Sequence, residues 1–295
     1  MNKEQLDVMK TRRGFIAALD QSGGSTPKAL KNYGVDESMY HNDNEMFDMI
    51  HKMRSRIMQS EAFKSNRILA AILFEATMYS SVDGLLSGDY LWDVKRIVPF
   101  LKIDKGLLPQ EEGVALMAPI PDMDEYLKQA KLQHMFGTKM RSVIYDFNTE
   151  GISKLVKQQF DWARRIIDHN LVPIVEPEVD IHAQDKGRIE ELLLEEIVKG
   201  LDRLSEGSFV ILKLTPPEKD NLYEDLLEHP RVLRIAFLSG GHPQETAIQL
   251  LSRNKGVVAS FSRALTEGLT YQQNDIAFDY ALDESIQKIY NASIT

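Results

Sequence analysis

Short apolar stretches recur along the chain, each bounded by polar or turn-forming residues. There are eight of them, at residues 15–19, 68–74, 97–103, 140–145, 172–179, 209–214, 232–238 and 257–261. Apolar runs of this length with such boundaries are typical of strands buried on both faces. The pattern therefore predicts eight strands.

Helical patterns occupy the stretches between these runs. Two series of apolar side chains repeat every three or four positions, namely Met46, Ile50, Met53 and Ile57, and Leu194, Ile197, Leu201 and Leu204. Another helix is predicted to begin near Pro121, because proline and acids are favoured in a first turn. The last helix is predicted at residues 274–290. Strands that alternate with helices indicate βαβ units and a parallel sheet.

Eight such units in 295 residues favour one closed barrel over an open sheet with two domains. The segment 106–121 carries proline and glycine and is predicted to be a loop. We therefore expect the α/β class and a single-domain (β/α)8 TIM barrel over residues 1–295, with an N-terminal helical extension and a short C-terminal helix.

Composition narrows the class of function. The chain is 43% apolar, has 44 Asp and Glu against 35 Lys and Arg (net charge −9), and has no cysteine. The missing cysteine excludes disulfides, thiolate metal sites and cysteine nucleophiles, and the acidic balance argues against binding to nucleic acid. No apolar run is long enough for a signal peptide or a membrane span, so we expect a cytoplasmic protein without a membrane partner. The seven histidines are scattered, so no metal is expected.

Polar side chains stand at the ends of the predicted strands, where barrel enzymes carry their chemistry. In chain order they are Asp20, Glu75, Lys102, Lys139, Arg141, Glu176, Glu178, Lys213, Ser239 and Arg263. Those on the fourth to sixth strands would form one cluster, because these strands are neighbours in a barrel. Either a catalytic site or a structural network of ion pairs would produce such a cluster.

Lys213 is the most telling of these residues. Strand alternation places it on one face with Phe209 and Ile211, and a barrel strand is covered on both faces. Burial disfavours the charged form of an amine, so a buried lysine is a candidate nucleophile that forms a Schiff base with a carbonyl. The alternative is a lysine that reaches the barrel rim and pairs with a carboxylate.

Two segments have the features of anion sites. Ser239, Gly240 and Gly241 follow the seventh strand and precede a helix predicted near residue 242, and Arg263 follows the eighth strand. These two loops form the recurrent phosphate site of barrel enzymes. The segment 20–27 after the first strand, together with Lys102, would hold a second anionic group, although a capped turn also explains its serines and glycines.

Taken together, these motifs resemble the class I, Schiff-base-forming fructose-1,6-bisphosphate aldolases, over about residues 14–269. The anchors are ALDQSGGS at 18–25, ILFEATMY at 72–79, LKIDKG at 101–106, TKMR at 138–141, PIVEPE at 173–178, LK at 212–213, FLSGG at 237–241 and SFSRAL at 260–265. The order PIVEPE, LK, FLSGG is the most specific part. The resemblance implies a metal-independent lyase of glycolysis and gluconeogenesis with no cofactor, and a possible homo-oligomer.

The resemblance also implies roles for individual residues. Lys213 would form the imine with the ketone of fructose 1,6-bisphosphate, Glu176 would be the acid/base of that step, and Glu178 a supporting carboxylate. Lys139 would keep Lys213 deprotonated, and Asp20 would take the proton of the hydroxyl at the bond that breaks. The products would be dihydroxyacetone phosphate and glyceraldehyde 3-phosphate.

The remaining site residues fall into two groups under the same resemblance. The ketose-side phosphate would be held by Ser239, Gly240, Gly241, Ser260 and Arg263. The aldehyde side would be held by Ser22, Ser25 and Lys102, and Arg141 would also contact the substrate.

Some positions depart from the family pattern and suit a bacterial-type branch. Gln21 stands where the family often has Glu, Ser262 where it often has Gly, and Leu214 where it often has Pro. Animal members end in a tail with a tyrosine that assists proton transfer, and we do not assign this role to Tyr290. Two alternatives stay open: a Schiff-base aldolase or transaldolase for another ketose phosphate such as tagatose 1,6-bisphosphate, and a non-catalytic phosphosugar-binding or surface-binding protein on an aldolase scaffold.

Overall fold

Eight parallel strands close into a barrel in the computed structural model, which describes residues 1–22 and 26–294. The strands are β1 (Phe15–Leu19), β2 (Ile68–Leu73), β3 (Val98–Lys102), β4 (Gly137–Ile144), β5 (Val172–Val179), β6 (Val210–Leu214), β7 (Val232–Phe237) and β8 (Val258–Phe261). Around the barrel they run β3-β2-β1-β8-β7-β6-β5-β4, and pairing of β3 with β4 closes the ring. The predicted barrel is confirmed.

Helices lie between the strands and form the outer layer. They are α1 (Lys3–Thr11), α2 (Thr26–Asn32), α3 (Asp43–Gln59), α4 (Glu75–Met78), α5 (Ser87–Asp89), α6 (Met123–Leu132), α7 (Thr149–Asp168), α8 (Lys186–Asp202), α9 (Gln244–Ser252), α10 (Arg263–Thr266) and α11 (Asp275–Ala292). Shorter pieces are the 3₁₀ turns Glu37–Met39 and Glu224–Glu228, the π-helical turn Tyr90–Val94, and the two-residue strands Ser81–Val82, Leu85–Leu86 and Val114–Ala115.

Two details differ from the pattern-based expectation. β4 begins at Gly137, three residues before the apolar run, because Thr138 and Lys139 are themselves buried. On α8 it is Leu193 that is buried, while Leu194 is only half-buried; the other members of the predicted stripe, Ile197, Leu201 and Leu204, are buried as expected. The predicted stripe of α3 is buried throughout.

Strand alternation separates the core into two layers. On β6, Ile211 belongs to the apolar cluster inside the barrel, whereas Val210 and Leu212 belong to the cluster between strands and helices. Lys213 follows the parity of Ile211 and therefore points into the barrel. The other strands alternate in the same way, so every second strand-end side chain is directed to the barrel axis.

Helix α1 closes the amino-terminal end of the barrel. Its Val8 and Met9 are buried in the interior cluster. Arg234 of β7 holds the C-terminal end of α1 in place. Its Nε donates to the backbone carbonyl of Met9 at 2.6 Å, and its Nη2 donates to that of Arg12 at 2.7 Å. The interior is thereby sealed at one end and open at the carboxyl ends of the strands. Within the described residues, no helix is long and apolar enough to cross a bilayer.

The strands approach closely at Gly137, at the start of β4. A Cβ there would stand 2.1 Å from the carbonyl oxygen of Val172 and 2.6 Å from the ring of Phe100. Neither backbone nor a buried ring can yield that far, so only glycine fits between β3 and β5. This contact sets the position of β4, which carries Lys139 and Arg141.

We predict that Gly137→Ala lowers the free energy of unfolding by about 3 kcal/mol, at the upper end of ordinary overpacking costs. Urea unfolding followed by circular dichroism measures it. The matched control is Gly187→Ala in α8. A Cβ there would meet only the flexible carboxylate end of Glu218 at 2.7 Å, so we expect the free energy of unfolding to change by less than about 1 kcal/mol. Equal stability of the two variants would contradict the packing argument.

Candidate active site

A cavity of about 790 Å³ opens at the carboxyl ends of the barrel strands. Twelve of the residues predicted for the site line it: Asp20, Ser22, Lys102, Lys139, Arg141, Glu176, Glu178, Lys213, Ser239, Gly240, Ser260 and Arg263. Gly241 lies beside Arg263 at the edge of this cavity. Ser25 falls outside the described residues.

The carboxylate of Glu176 joins two buried lysines. Its Oε1 lies 2.8 Å from Nζ of Lys213, and its Oε2 lies 3.1 Å from Nζ of Lys139. The three residues are at most 5% exposed. They come from adjacent strands, β4, β5 and β6, whose alternation turns all three side chains inward. The geometry therefore holds an acid/base group directly against the amine of Lys213.

Lys139 is the centre of the surrounding charge network. Its Nζ also lies 2.8 Å from Oδ2 of Asp20 and 3.7 Å from Oδ2 of Asp104. Burial acts to lower the pKa of Lys139, but the carboxylates of Asp20, Glu176 and Asp104 outweigh it and hold the pKa above its ordinary value. Lys139 therefore stays an ammonium ion throughout the physiological range.

Asp20, at the end of β1, is kept ionised by the same contact. Burial alone would raise the pKa of its carboxyl, but the positive charges of Lys139 and Lys213 and the hydrogen bond from Lys139 dominate. The pKa of Asp20 consequently lies well below its ordinary value. Asp20 is therefore in the ionised form that can accept a proton from a hydroxyl that enters the cavity, although the same lysines that keep it charged also weaken it as a base.

Asp104 is a site residue that the sequence analysis missed. It is 6% exposed and accepts from Nζ of Lys102 at 2.6 Å. Its position within LKIDKG, two residues after Lys102, was an available signal, because the same parity points both side chains inward. Burial is the main reason that the pKa of Lys102 lies below its ordinary value, and Asp104 only partly offsets it.

Other residues at the mouth differ from expectation in smaller ways. Lys28 and Lys105 line the cavity, although no role was assigned to them. Glu75, the acid after β2, instead heads α4 and pairs with Lys105 at 2.6 Å, outside the cavity lining. Arg141 Nε donates to Glu178 at the rim. Burial lowers the pKa of Arg141, but Glu178 outweighs it and the net shift is upward.

The loops after β7 and β8 lie side by side, as predicted for an anion site. Gly240 and Gly241 have φ of +59° and +104°, and a Cβ on Gly241 would stand 3.3 Å from Nη2 of Arg263. The hydroxyl of Ser260 is buried and has no hydrogen-bond partner among the described residues. A buried polar group without a partner is costly unless a ligand supplies one, so this hydroxyl is suited to an incoming anion.

The net charge of the cavity lining is opposite in sign to the net charge of the whole protein. Of the described residues that line it, seven are cationic and four carry a carboxylate, in a chain of net charge −9. A cleft with low-dielectric walls focuses its local field, and salt screens the more distant negative surface. The site therefore attracts anions. In residues 1–22 and 26–294 no group of histidine and acidic side chains has an arrangement that could hold a metal ion.

We predict that Lys139→Met destabilises the fold in a pH-dependent way. At pH 7 the loss is about 3–5 kcal/mol, the usual cost of breaking a buried ion pair. Without Lys139, only Lys213 and Lys102 still oppose burial, the largest influence on Asp20, so we expect the pKa of its carboxyl to rise and the folded variant to bind a proton more tightly than the unfolded chain does. Its stability then rises as the pH falls, and the deficit against the original chain shrinks toward pH 5.

Urea unfolding at pH 7 and pH 5 measures this deficit. Lys157→Met is the matched control, because Lys157 pairs with Asp161 at 2.6 Å on the exposed face of α7, and such pairs contribute below about 1 kcal/mol. A deficit for Lys139→Met that is the same at both pH values would contradict the assigned charge states.

Comparisons with known proteins agree with this architecture. A family model for "Glycolytic: Fructose-bisphosphate aldolase class-I" matches residues 3–206. The fructose-bisphosphate aldolase class 1 of Synechocystis sp. is 56% identical over 294 residues, covering 100% of this chain and 98% of that protein. Its counterpart from Clostridium acetobutylicum is 55% identical over 295 residues, covering 100% of both. The solved fructose-bisphosphate aldolase of Plasmodium falciparum has the same fold, with a TM-score of 0.76 at 19% identity over 98% of this chain and 92% of that one. The chain belongs to the class-I fructose-bisphosphate aldolase family.

Proposed function

We propose that the protein catalyses the reversible cleavage of fructose 1,6-bisphosphate to dihydroxyacetone phosphate and glyceraldehyde 3-phosphate, through a Schiff base on Lys213. The observation that carries this proposal is the contact of 2.8 Å between the Lys213 amine and Glu176 at the base of a cationic cavity. A buried amine beside a carboxylate is suited to imine formation. The family to which the chain belongs supports the same chemistry.

Imine formation requires Lys213 as a free amine, which forms when its ammonium form gives up a proton. Glu176 Oε1 lies within hydrogen-bond distance to accept it. The free amine attacks the ketone carbon of the substrate and a carbinolamine forms. Glu176 then returns a proton to the carbinolamine hydroxyl, which leaves as water while the nitrogen lone pair forms the C=N bond. Lys139 remains charged and stabilises negative charge that develops on the neighbouring oxygens.

Cleavage uses Asp20 as the base. Its ionised carboxylate takes the proton of the hydroxyl next to the bond that breaks. The electrons of that O–H bond form the aldehyde carbonyl, and those of the carbon–carbon bond move into the iminium to give an enamine. Glyceraldehyde 3-phosphate leaves, and protonation of the enamine followed by hydrolysis of the imine releases dihydroxyacetone phosphate. Glu178, held by Arg141, supports Glu176 from the rim.

Two groups of anion-binding residues, the ketose-side grip and the aldehyde-side grip, position the substrate in this proposal. The loops after β7 and β8 bind the ketose-side phosphate through Ser239, Gly240, Gly241, Ser260 and Arg263. Support comes from the positive φ of both glycines and from the buried, unpartnered Ser260 hydroxyl. The aldehyde-side phosphate meets Ser22 and Lys102 across the cavity, and Ser25 belongs to the same prediction.

Several expectations stay predictions beside this proposal. They are a reaction without metal or cofactor, a cytoplasmic location, a homo-oligomeric assembly, and preference for fructose 1,6-bisphosphate over related ketose phosphates. Cleavage rates with fructose 1-phosphate and tagatose 1,6-bisphosphate address the last of these.

We predict that borohydride reduction in the presence of dihydroxyacetone phosphate traps a covalent adduct on Lys213, since reduction of an imine fixes the bound carbons. Peptide mass mapping locates the adduct. Lys213→Met folds, by circular dichroism, but shows no adduct and no cleavage. Lys105→Met is the control, because Lys105 lines the same cavity without contacting Glu176, and its adduct on Lys213 persists.

An adduct on another lysine, or none at all, would overturn the imine mechanism. We also expect cleavage to persist in excess EDTA, because the proposed electron sink is the Lys213 iminium. Activity that disappears on chelation and returns with a divalent metal would point to a metal-dependent aldolase instead.

A further inference from the structure

A side-chain hydrogen bond joins the loops at the ends of β1 and β8. Nε2 of Gln21 donates to Oγ of Ser262 at 2.7 Å, and both residues line the cavity. These are two of the positions at which the chain departs from the family pattern. Two side chains that differ from the family pattern, 241 residues apart in sequence, are therefore in direct contact.

Gln21 is held in this orientation by Arg54 of α3. The guanidinium donates from Nη2 to the backbone carbonyl of Gln21, lies 3.5 Å from its Oε1, and donates from Nη1 to Thr77 Oγ1 at 2.7 Å. Because Arg54 offers only donors, the amide oxygen of Gln21 faces it. The amide NH₂ is thereby directed toward Ser262.

Arg54 is an unusual support because it is fully buried. In the described part of the chain no carboxylate lies within salt-bridge distance of it. Burial lowers its pKa to about 10, although Asp20 partly opposes the shift, so it stays charged at neutral pH. Movement of Gln21 would remove the acceptors of Arg54 Nη2 and leave this buried cation only its hydrogen bond to Thr77, so the position of Gln21 is restrained.

The neighbours of this pair give it a consequence for binding. Ser22 follows Gln21 and belongs to the proposed aldehyde-side grip, and Arg263 follows Ser262 and belongs to the ketose-side grip. β1 and β8 are paired neighbours in the barrel, and the hydrogen bond extends this contact beyond the strand ends, where it links Ser22 of one grip to Arg263 of the other through their chain neighbours. A ligand with two phosphates has to fit the distance between them, whereas a ligand with one phosphate does not.

We propose that Gln21 is a positioning residue that fixes the spacing of the two anion-binding loops through Ser262, and that this spacing sets the preference for sugar bisphosphates over monophosphates. The inference rests on the proposed function for the assignment of the two grips. It concerns the separation of the loops, which each grip alone does not determine.

The test measures binding without chemistry. A hexitol 1,6-bisphosphate has no carbonyl and forms no imine, and glycerol 3-phosphate provides a single phosphate. Isothermal titration calorimetry with both ligands gives the ratio of their dissociation constants. We expect Ser262→Ala and Gln21→Met each to weaken bisphosphate binding by roughly tenfold, the value of one lost hydrogen bond. Binding of the monophosphate changes by less than about threefold.

Three further variants separate this role from a general loss of structure. The double variant Gln21→Met with Ser262→Ala has the same ratio as either single variant, because both changes remove one interaction. Ser262→Thr keeps the hydroxyl and restores the original ratio. Ser142→Ala is the matched control, since Gln159 Nε2 donates to Ser142 Oγ at 2.8 Å in a buried pair outside the cavity. It lowers the melting temperature and leaves the ratio unchanged.

The results that would overturn the proposal are specific. Equal weakening of both ligands by Ser262→Ala would show that Ser262 acts on the Arg263 grip alone. Multiplied effects in the double variant would show that Gln21 and Ser262 act separately. If the original chain binds the hexitol bisphosphate but cleaves no fructose 1,6-bisphosphate, the proposed function fails while the same affinities still decide the spacing proposal. A chain that binds no bisphosphate contradicts both.

Discussion

The contact of the Glu176 carboxylate with the side-chain nitrogens of both Lys139 and Lys213 is the interaction on which the site depends. One carboxylate oxygen lies 2.8 Å from Lys213 and the other 3.1 Å from Lys139, which favours the orientation in which Glu176 faces the amine. Lys139 in turn holds Asp20 at 2.8 Å. These four buried polar side chains stabilise one another, and removal of one leaves its neighbours with less compensation in a low-dielectric interior. Structural ion pairing and proposed chemistry are thus the same set of contacts.

The register of the parallel strands brings the charged side chains of the site together. Parallel pairing sets Lys102 opposite Lys139 on β3 and β4, and Arg141 opposite Glu176 on β4 and β5. Each inward parity is fixed by the apolar residues earlier in the same strand, so a slip by one residue would expel the whole cluster. Closure at the bottom by α1 leaves a single open end. Because cationic side chains predominate at this open end, the net charge of −9 is compatible with an anionic ligand.

Much of the site could be predicted from the sequence because strand ends in a barrel converge. In a barrel, a charged residue near the end of an apolar run, such as Lys213, lies either in the open end of the barrel interior or at its rim. Asp104 was missed because it lies beyond the end of β3, where alternation was not applied. The pairing of Gln21 with Ser262 through Arg54 could not be read from the chain, since it joins a helix and two distant loops by side-chain contacts that no periodicity encodes. Likewise, burial of Leu193 rather than Leu194 on α8 depends on packing rather than on local pattern.

The central claim is that Glu176 acts on the Lys213 amine, and the rate of imine formation tests it most directly. Rapid mixing with dihydroxyacetone phosphate, quenching with borohydride at intervals and mass spectrometry of the intact chain give this rate. Glu176→Gln is expected to slow imine formation by at least about 100-fold, the usual contribution of an acid/base group. Glu178→Gln, which changes the neighbouring carboxylate of the same strand, should slow it by less than about tenfold. Imine formation that is as fast in Glu176→Gln as in the original chain would contradict the account.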